Sequence, residues 1–218
     1  MTALIETVRV RRGIAPLWYL HLRRLAGSCK ALGIPLPPEL LTPEGGSDRV
    51  HRLQVGRRGL DVTERPVPAG LDGLRLVLSP EPHRPYPHKT TDRGQFDRAL
   101  DDARARGADD AVLLTVGGYV AEAAVWALFW WEGDRICAPP LALGVLPSVA
   151  RARVEEITVG VDEITGGIEA RRARWEEIRG SPLFAGNAVR GLVRVTSVDG
   201  VEVPEHPGFA ALAGRFWS

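Results

Sequence analysis

Hydrophobic and polar residues follow two periods along the chain, and these predict strands and helices. Alternation with a period of two, or a short apolar run, predicts strands over residues 3–10, 50–55, 60–65, 74–79, 110–116, 119–131, 183–186 and 189–198, and a short extended segment over 136–140. Apolar residues at three- and four-residue spacing predict helices that end at Gly33 and Gly107. Two further helices are predicted around residues 168–178 and 209–216.

Glycine and proline mark the connections between these elements. Residues 56–59, Gly-Arg-Arg-Gly, predict a hairpin between two strands, and Gly117-Gly118 predicts a second hairpin. Four prolines between residues 80 and 87 predict an extended connector with a fixed exit direction. A loop that begins at Gly144 leads into a helix, for which Ser148 is the candidate cap.

The order of the elements predicts the fold class. Strands outnumber helices in the middle of the chain and hairpins are frequent, which favours an α+β fold with mostly antiparallel sheets and flanking helices. We expect two small α/β domains, residues 1–84 and residues 85–218. Neither a dinucleotide-binding glycine motif nor a phosphate loop occurs, so dehydrogenases and nucleoside triphosphatases are disfavoured.

Composition excludes several classes of partner. The 218 residues are 44% hydrophobic and 25% charged, with a net charge of +1, so we expect neither nucleic acid nor an anionic membrane as a partner. No leader-like segment follows Met1, and no apolar run reaches the roughly 18 residues of a membrane span. With two cysteines we expect a reducing cytoplasm, and His83 and His88 lack further ligands at metal-binding spacing, so no metal is expected.

The chain contains two lysines, Lys30 and Lys89, beside 26 arginines. Arginine therefore serves almost everywhere that a positive charge is needed, and a retained lysine suggests a need for an amine. An amine can lose its proton and attack a carbonyl, whereas a guanidinium cannot. Lys30 is explained by the polar edge of a helix, but Lys89 lies between a predicted strand and a predicted helix, where catalytic groups are often displayed. A surface lysine without a chemical role is the alternative.

Several short segments together resemble one enzyme family. In chain order they are ETVRV (6–10), HLRRL (21–25), HKTTDR (88–93), GYVAE (118–122), Ala138-Pro139, GVLP (144–147) with Arg151, and NAVRG (187–191). Their order and spacing are similar to those of the class IV aminotransferases, the fold-type-IV enzymes that use pyridoxal 5′-phosphate. The resemblance implies this cofactor, a C-terminal cofactor-binding domain, a small-molecule substrate and a homodimer.

The resemblance also implies roles for individual residues. Lys89 matches the Schiff-base lysine, which would shuttle protons and therefore needs a lowered pKa. Glu122 matches the carboxylate that pairs with the pyridine nitrogen, and Arg24 matches the phosphate-binding arginine. The backbone amides of Ser148, Val149 and Ala150 match the phosphate-binding cup, and Asn187 matches a cofactor-binding asparagine near the C-terminus. Arg93 matches a residue that supports either the lysine or the ring hydroxyl of the cofactor. The alternative for Arg93 is a structural ion pair.

The chain departs from the family pattern at several positions. Alanine stands at 124 and 127, where the family usually has Thr or Ser and Asn, and Ala150 and Gly186 stand where threonine is usual. Asp92 stands where Asn is common. Fewer side-chain hydroxyls therefore reach the expected phosphate.

The matches in residues 88–93, 129–130 and 187–191 are closest to 4-amino-4-deoxychorismate lyase, so we expect elimination of pyruvate to give 4-aminobenzoate. One alternative is transamination of a branched-chain or D-amino acid. Another is a degenerate family member without catalytic activity.

Overall fold

The computed structural model describes residues 2–158 and 167–218, and its strands there form two sheets. The smaller sheet is antiparallel and contains β1 (Leu4–Val10), β2 (Arg49–Gly56) and β3 (Gly59–Arg65) in that order. The predicted hairpin at residues 56–59 is confirmed, because Gly56 pairs with Gly59.

The helix α1 (Trp18–Leu32) covers one face of the smaller sheet. Its residues Leu25 and Cys29 pack with Leu4 and Val55 of the sheet, which explains the three- and four-residue apolar spacing. Gly33 ends the helix with a left-handed φ of 60°, a conformation that glycine adopts without the steric cost of a Cβ atom.

Nine strands of the described part of the chain form the larger sheet. They are β4 (Leu74–Leu78), β5 (Asp110–Leu114), β6 (Val120–Ala123), β7 (Ala127–Glu132), β8 (Arg135–Ala138), β9 (Ile168–Ala170), β10 (Leu183–Asn187), β11 (Gly191–Val198) and β12 (Val201–Glu202). The spatial order is β6-β5-β4-β11-β10-β7-β8-β9, and β12 pairs with β11. The pairs β4 with β5, β4 with β11, and β8 with β9 are parallel, and the other pairs are antiparallel.

Both faces of the larger sheet are buried along its central strands. The described residues include four α-helices that accompany the sheet: α2 (Gly94–Ala105), α3 (Val149–Thr158), α4 (Trp175–Ile178) and α5 (Phe209–Arg215). Phe129 and Trp130 are consecutive residues of β7, so their side chains point to opposite faces, and both are fully buried. Phe129 stacks on Phe184 at 4.8 Å on the face that carries α3 and α5. The predicted α+β fold is confirmed.

Two predicted elements are wrong. Residues 119–131 form two strands, β6 and β7, with a turn at residues 124–126, because the carboxylate of Asp110 accepts hydrogen bonds from the amides of Ala124 and Val125. Residues 168–178 form the edge strand β9 and the single turn α4 rather than one helix, because β9 pairs with β8.

The division of the chain into domains of residues 1–84 and 85–218 stays a prediction. Strand β4, which belongs to the first of these ranges, is part of the larger sheet. Across residues 2–158 and 167–218, no helix is both long and apolar enough to cross a membrane.

Candidate active site

A cavity of about 620 Å³ lies between the two sheets, and all eight predicted site residues line it. These residues are Arg24, Lys89, Arg93, Glu122, Ser148, Val149, Ala150 and Asn187. A larger cavity of about 790 Å³ lies beside the β2–β3 hairpin and is lined by none of the eight. The smaller cavity is therefore the candidate active site.

The backbone of Lys89 is attached to strand β1. The carbonyl of Lys89 accepts a hydrogen bond from the amide of Ile5 at 2.8 Å, and the amide of Thr91 donates to the carbonyl of Ala3 at 2.8 Å. The hydroxyl of Tyr86 donates to the carbonyl of Thr90 at 2.6 Å and accepts from its amide at the same distance. These bonds fix the segment that carries the amine at the end of the proline-rich connector.

The environment of Lys89 lowers the pKa of its amine from 10.5 to about 7. Burial is the largest cause, because the charged ammonium loses solvation, and the nearby charges of Arg24 and Arg93 act in the same direction. Glu6 and Glu122 oppose the change without cancelling it. At neutral pH a large fraction of Lys89 is therefore the free amine, the form that is nucleophilic.

Arg24 is held by a buried carboxylate. Its Nε donates to Oε1 of Glu6 at 2.9 Å, its Nη2 donates to Oε2 at 2.6 Å, and its Nη1 donates to the carbonyl of Pro147 at 3.3 Å. Burial acts to raise the pKa of Glu6, but the charge of Arg24 and the hydrogen bonds from His21 and Arg24 lower it from 4.5 to about 2.

His21 completes this network beneath the cavity. Its Nδ1 lies 2.6 Å from Oε2 of Glu6, and burial lowers the pKa of the imidazole. Because an ionised carboxylate only accepts hydrogen bonds, Nδ1 carries the proton. The Nε2 atom is buried without a partner among the described residues. Glu6 therefore fixes the orientation of the Arg24 guanidinium, which retains N–H groups that can donate to a ligand in the cavity.

Glu122 is buried on β6, and one of its oxygens is already engaged. Its Oε1 accepts hydrogen bonds from Nε2 of His83 at 2.9 Å and from the amide of Leu146 at 3.2 Å. Both bonds described for this carboxylate go to Oε1, which leaves Oε2 to the cavity that Glu122 lines. His83 is itself buried beside Phe96.

Arg93 and Asp110 clamp the turn between β6 and β7. Arg93 donates from Nη2 to the carbonyl of Ala124 at 2.9 Å, and Asp110 accepts from the amides of Ala124 and Val125 at 3.1 and 3.0 Å. Burial raises the pKa of Asp110 from 3.8 to about 6 despite these hydrogen bonds. An ion pair of Arg93 with Asp97 at 3.7 Å is also present, so Arg93 has both a cavity position and a structural partner.

The first turn of α3 faces the cavity beside Arg24. Ser148 caps the helix, because its Oγ accepts the amide of Arg151 at 2.9 Å. The first-turn amides of Val149 and Ala150 have no acceptor within the helix, and the helix dipole adds positive potential there. This arrangement suits an anion such as phosphate.

Asn187 ends β10 and organises the turn into β11. Its Oδ1 accepts the amides of Val189 at 3.0 Å and Arg190 at 2.9 Å. The preceding Gly186 packs closely, because a Cβ atom there would lie 2.8 Å from Cδ2 of Leu192 and 3.1 Å from Cβ of Ala150. At positions 150 and 186, where the family usually has threonine, Ala150 and Gly186 instead pack tightly against each other.

Sequence reasoning missed three supporting residues: His83, His21 and Asp110. In the sequence His83 stands out only as an isolated potential metal ligand, because its partner Glu122 lies 39 positions away. No local pattern marks such a pair. Glu6 belongs to the matched ETVRV segment, but nothing in that segment indicated its bond to Arg24.

Comparison with known proteins identifies the family. Residues 61–198 match the family described as Amino-transferase class IV. No curated protein gives a significant match.

Solved structures share the fold. The "Putative 4-amino-4-deoxychorismate lyase" of Legionella pneumophila is 23% identical over 96% of this chain and 88% of its own, with a TM-score of 0.80. The branched-chain aminotransferase of Thermoproteus uzoniensis is 20% identical over 98% and 84%, with a TM-score of 0.85. A hypothetical aminotransferase from Mycobacterium tuberculosis, in a PLP-bound form, is 20% identical over 98% and 87%, with a TM-score of 0.84.

At these identities the likeness shows the fold, whereas the match over residues 61–198 shows the family. The chain belongs to the class IV aminotransferases, a family of enzymes that depend on pyridoxal 5′-phosphate.

Proposed function

We propose that the protein is a pyridoxal-phosphate-dependent lyase that converts 4-amino-4-deoxychorismate into 4-aminobenzoate and pyruvate. The observation that carries the proposal is the amine of Lys89, with a pKa of about 7, in one cavity with Glu122 and Arg24. That combination offers a nucleophile, a carboxylate and a phosphate-binding cation to a single ligand.

The residues present fit the cofactor. Arg24 makes three described hydrogen bonds out of the five that a guanidinium can donate, so it retains donors for a phosphate beside the amides of α3. Oε2 of Glu122 is left for the ring nitrogen. When bound, the cofactor supplies an electron sink for the substrate carbanion. Lys89 would hold its aldehyde end.

Lys89 would also act as the acid and base of the reaction. Release of pyruvate requires removal of a ring proton and delivery of a proton to the departing enolpyruvyl group. A group with a pKa of about 7 exchanges protons readily in both directions at neutral pH. Burial first, and then repulsion of the charged form by Arg24 and Arg93, keeps the pKa of the amine in this range.

Four observations bear on the choice of reaction. Residues 88–93, 129–130 and 187–191 resemble the lyase branch most closely, and the Legionella relative carries a lyase name. The Thermoproteus relative carries a branched-chain aminotransferase name, so transamination of a small amino acid is the second candidate. The loss of hydroxyls at Ala150 and Gly186 motivates the third, a non-catalytic member. The proposal also includes a cytoplasmic location and a homodimer, and the family resemblance is the only support for the homodimer.

Product analysis tests the reaction. The purified protein, supplied with pyridoxal phosphate and 4-amino-4-deoxychorismate but no keto acid, is expected to release pyruvate and 4-aminobenzoate in equal amounts. Lys89→Ala should abolish both the products and the visible absorbance of the bound cofactor, whereas Lys30→Ala on α1 should preserve both. Strict dependence on an added keto acid would establish transamination instead, and a protein that stays colourless with added cofactor would establish the non-catalytic alternative.

A further inference from the structure

The candidate active site carries a large excess of positive charge. Among the residues that the structure describes, six arginines and Lys89 line it, against two acidic residues, Asp109 and Glu122. One doubly charged phosphate would offset only part of this excess. The surplus indicates that the natural ligand brings additional negative charge.

Half of these arginines already have carboxylate partners. Arg24 pairs with Glu6 at 2.6 Å, Arg93 with Asp97 at 3.7 Å and Arg104 with Asp101 at 3.6 Å. The lining Asp109 pairs with Arg75, outside the cavity, at 3.2 Å. Within residues 2–158 and 167–218, the other three, Arg52, Arg65 and Arg190, have no carboxylate at ion-pair distance.

Arg52 and Arg65 project from the same face of the smaller sheet. Arg52 is paired with Thr63 in the antiparallel register, so the two side chains lie on one face, and Arg65 follows Thr63 by two positions on that face. Thr7 of β1 pairs with Arg52 and also lines the cavity. This face is opposite to the one that packs on α1.

Arg190 approaches from the larger sheet. It lies in the turn between β10 and β11, where its amide is fixed by Oδ1 of Asn187 at 2.9 Å. Its Nη1 donates to the carbonyl of Ala69, a neutral group that leaves the charge uncompensated. Both Arg52 and Arg190 are half-buried.

The charge of Arg65 acts on both of the other guanidiniums. Burial first, and then the charges of Arg93 and Arg65, lower the pKa of Arg52. Burial first, and then the charge of Arg65, lowers the pKa of Arg190. Arg65 is therefore close enough to repel both of the others, and an anion between them would relieve that repulsion.

We propose that Arg52, Arg65 and Arg190 form the receptor for the two carboxylates of a dicarboxylate substrate. The inference rests on the proposed function for the choice of ligand, because 4-amino-4-deoxychorismate carries a ring carboxylate and an enolpyruvyl carboxylate. Planar guanidiniums bind carboxylates through paired hydrogen bonds. A branched-chain amino acid has one carboxylate and an apolar side chain, and it would leave most of this charge unmatched.

Calorimetric titration of the cofactor-loaded protein tests the receptor without requiring turnover. The probes are 3-(carboxymethoxy)benzoate, which carries two carboxylates on one ring, and 3-methoxybenzoate, which lacks one of them. We expect the diacid to bind at least about tenfold more tightly, since electrostatic complementarity across such a site governs discrimination between ligands. Arg52→Met, Arg65→Met and Arg190→Met should each reduce that preference about tenfold.

Arg57→Met is the matched control, because Arg57 lies on the same hairpin but lines the larger cavity instead. It should leave the preference unchanged. For any methionine variant that fails to fold, the lysine variant at that position keeps the charge but loses the planar fork, and a reduced preference is expected there as well. Equal affinity for both probes, or an unchanged preference in all three variants, would overturn the proposal.

The two proposals fail in different ways. A diacid preference that depends on the three arginines, without pyruvate release, would refute the lyase reaction and keep the receptor. Normal pyruvate release with an unchanged KM in all three methionine variants would refute the receptor and keep the lyase reaction.

Discussion

Arg24 and Glu6 form a two-point ion pair beneath the candidate active site, with Nε to Oε1 at 2.9 Å and Nη2 to Oε2 at 2.6 Å. Glu6 is almost completely buried, and Arg24 lines the cavity. The pair thus links the core of the smaller sheet to the site.

This pair should make stability depend on acid pH. Because the folded pKa of Glu6 is about 2, below its ordinary 4.5, the ionised pair contributes stability above pH 4.5 that is lost as pH falls towards 2. The difference corresponds to about 3 kcal/mol of unfolding free energy. Glu6→Gln should lower stability at neutral pH by about 3 kcal/mol and flatten the acid dependence, as measured by urea unfolding across this range.

Glu64→Gln is the matched control. Glu64 also accepts from an arginine and a histidine, Arg49 at 2.7 Å and His51 at 3.0 Å, but it is exposed. Solvent screens such a pair, so its loss should change the free energy of unfolding far less than the loss of the Glu6 carboxylate does. Equal changes in the free energy of unfolding for Glu6→Gln and Glu64→Gln would contradict the inference that burial makes the Glu6 pair more stabilising.

The amine of Lys89 should react near neutral pH. In the cofactor-free protein, the rate of modification by trinitrobenzenesulfonate should rise with pH and reach half its plateau near pH 7, since only the free amine reacts. Peptide mass spectrometry distinguishes the modification of Lys89 from that of Lys30. Lys30 is exposed on α1 and serves as the internal control for the reactivity of the reagent. Arg93→Gln should move the midpoint upward by removing a repelling charge. A rate that keeps rising far above neutral pH would contradict the lowered pKa.

His83 should support cofactor binding through Glu122. Hydrogen bonds to charged groups contribute about 1.5–3 kcal/mol, so His83→Leu should raise the dissociation constant for pyridoxal phosphate about tenfold or more. Titration followed by cofactor absorbance measures this constant. His88→Leu is the comparison, because His88 contacts Ser28 and lines the larger cavity. Similar losses in both variants would remove the special role of His83.

Gly186 should tolerate no side chain. An added Cβ would lie 2.8 Å from Cδ2 of Leu192 and 3.1 Å from Cβ of Ala150, so Gly186→Ala should destabilise the protein by about 1–3 kcal/mol. Gly27→Ala within α1 has no atom within 4 Å of the new Cβ and should instead stabilise it by about 0.5–1 kcal/mol. Urea unfolding of both variants checks the sign of each effect. Stabilisation by Gly186→Ala would refute the tight contact.

The sequence predicted features that depend on local patterns. The 56–59 hairpin and the end of α1 at Gly33 follow from turn chemistry and apolar spacing, and the scarcity of lysine indicates a chemical role for Lys89. The turn at 124–126 was missed, because the surrounding residues are uniformly apolar and its stabilising carboxylate, Asp110, lies on another strand. The local pattern of residues 168–178 predicts a helix and does not indicate β9, because β9 pairs with β8, whose residues lie about 30 positions earlier in the chain.

Lys89 and Glu122, which line the same cavity, belong to different sheets. Lys89 is hydrogen-bonded to β1 of the three-stranded sheet, whereas Glu122 is part of β6 in the nine-stranded sheet. Separation of the sheets by partial melting would pull these groups apart while leaving most strands intact. On gentle heating, the visible absorbance of the bound cofactor should therefore be lost at a lower temperature than the β-sheet signal in circular dichroism. The cofactor absorbance would then report the separation of the two sheets before they unfold.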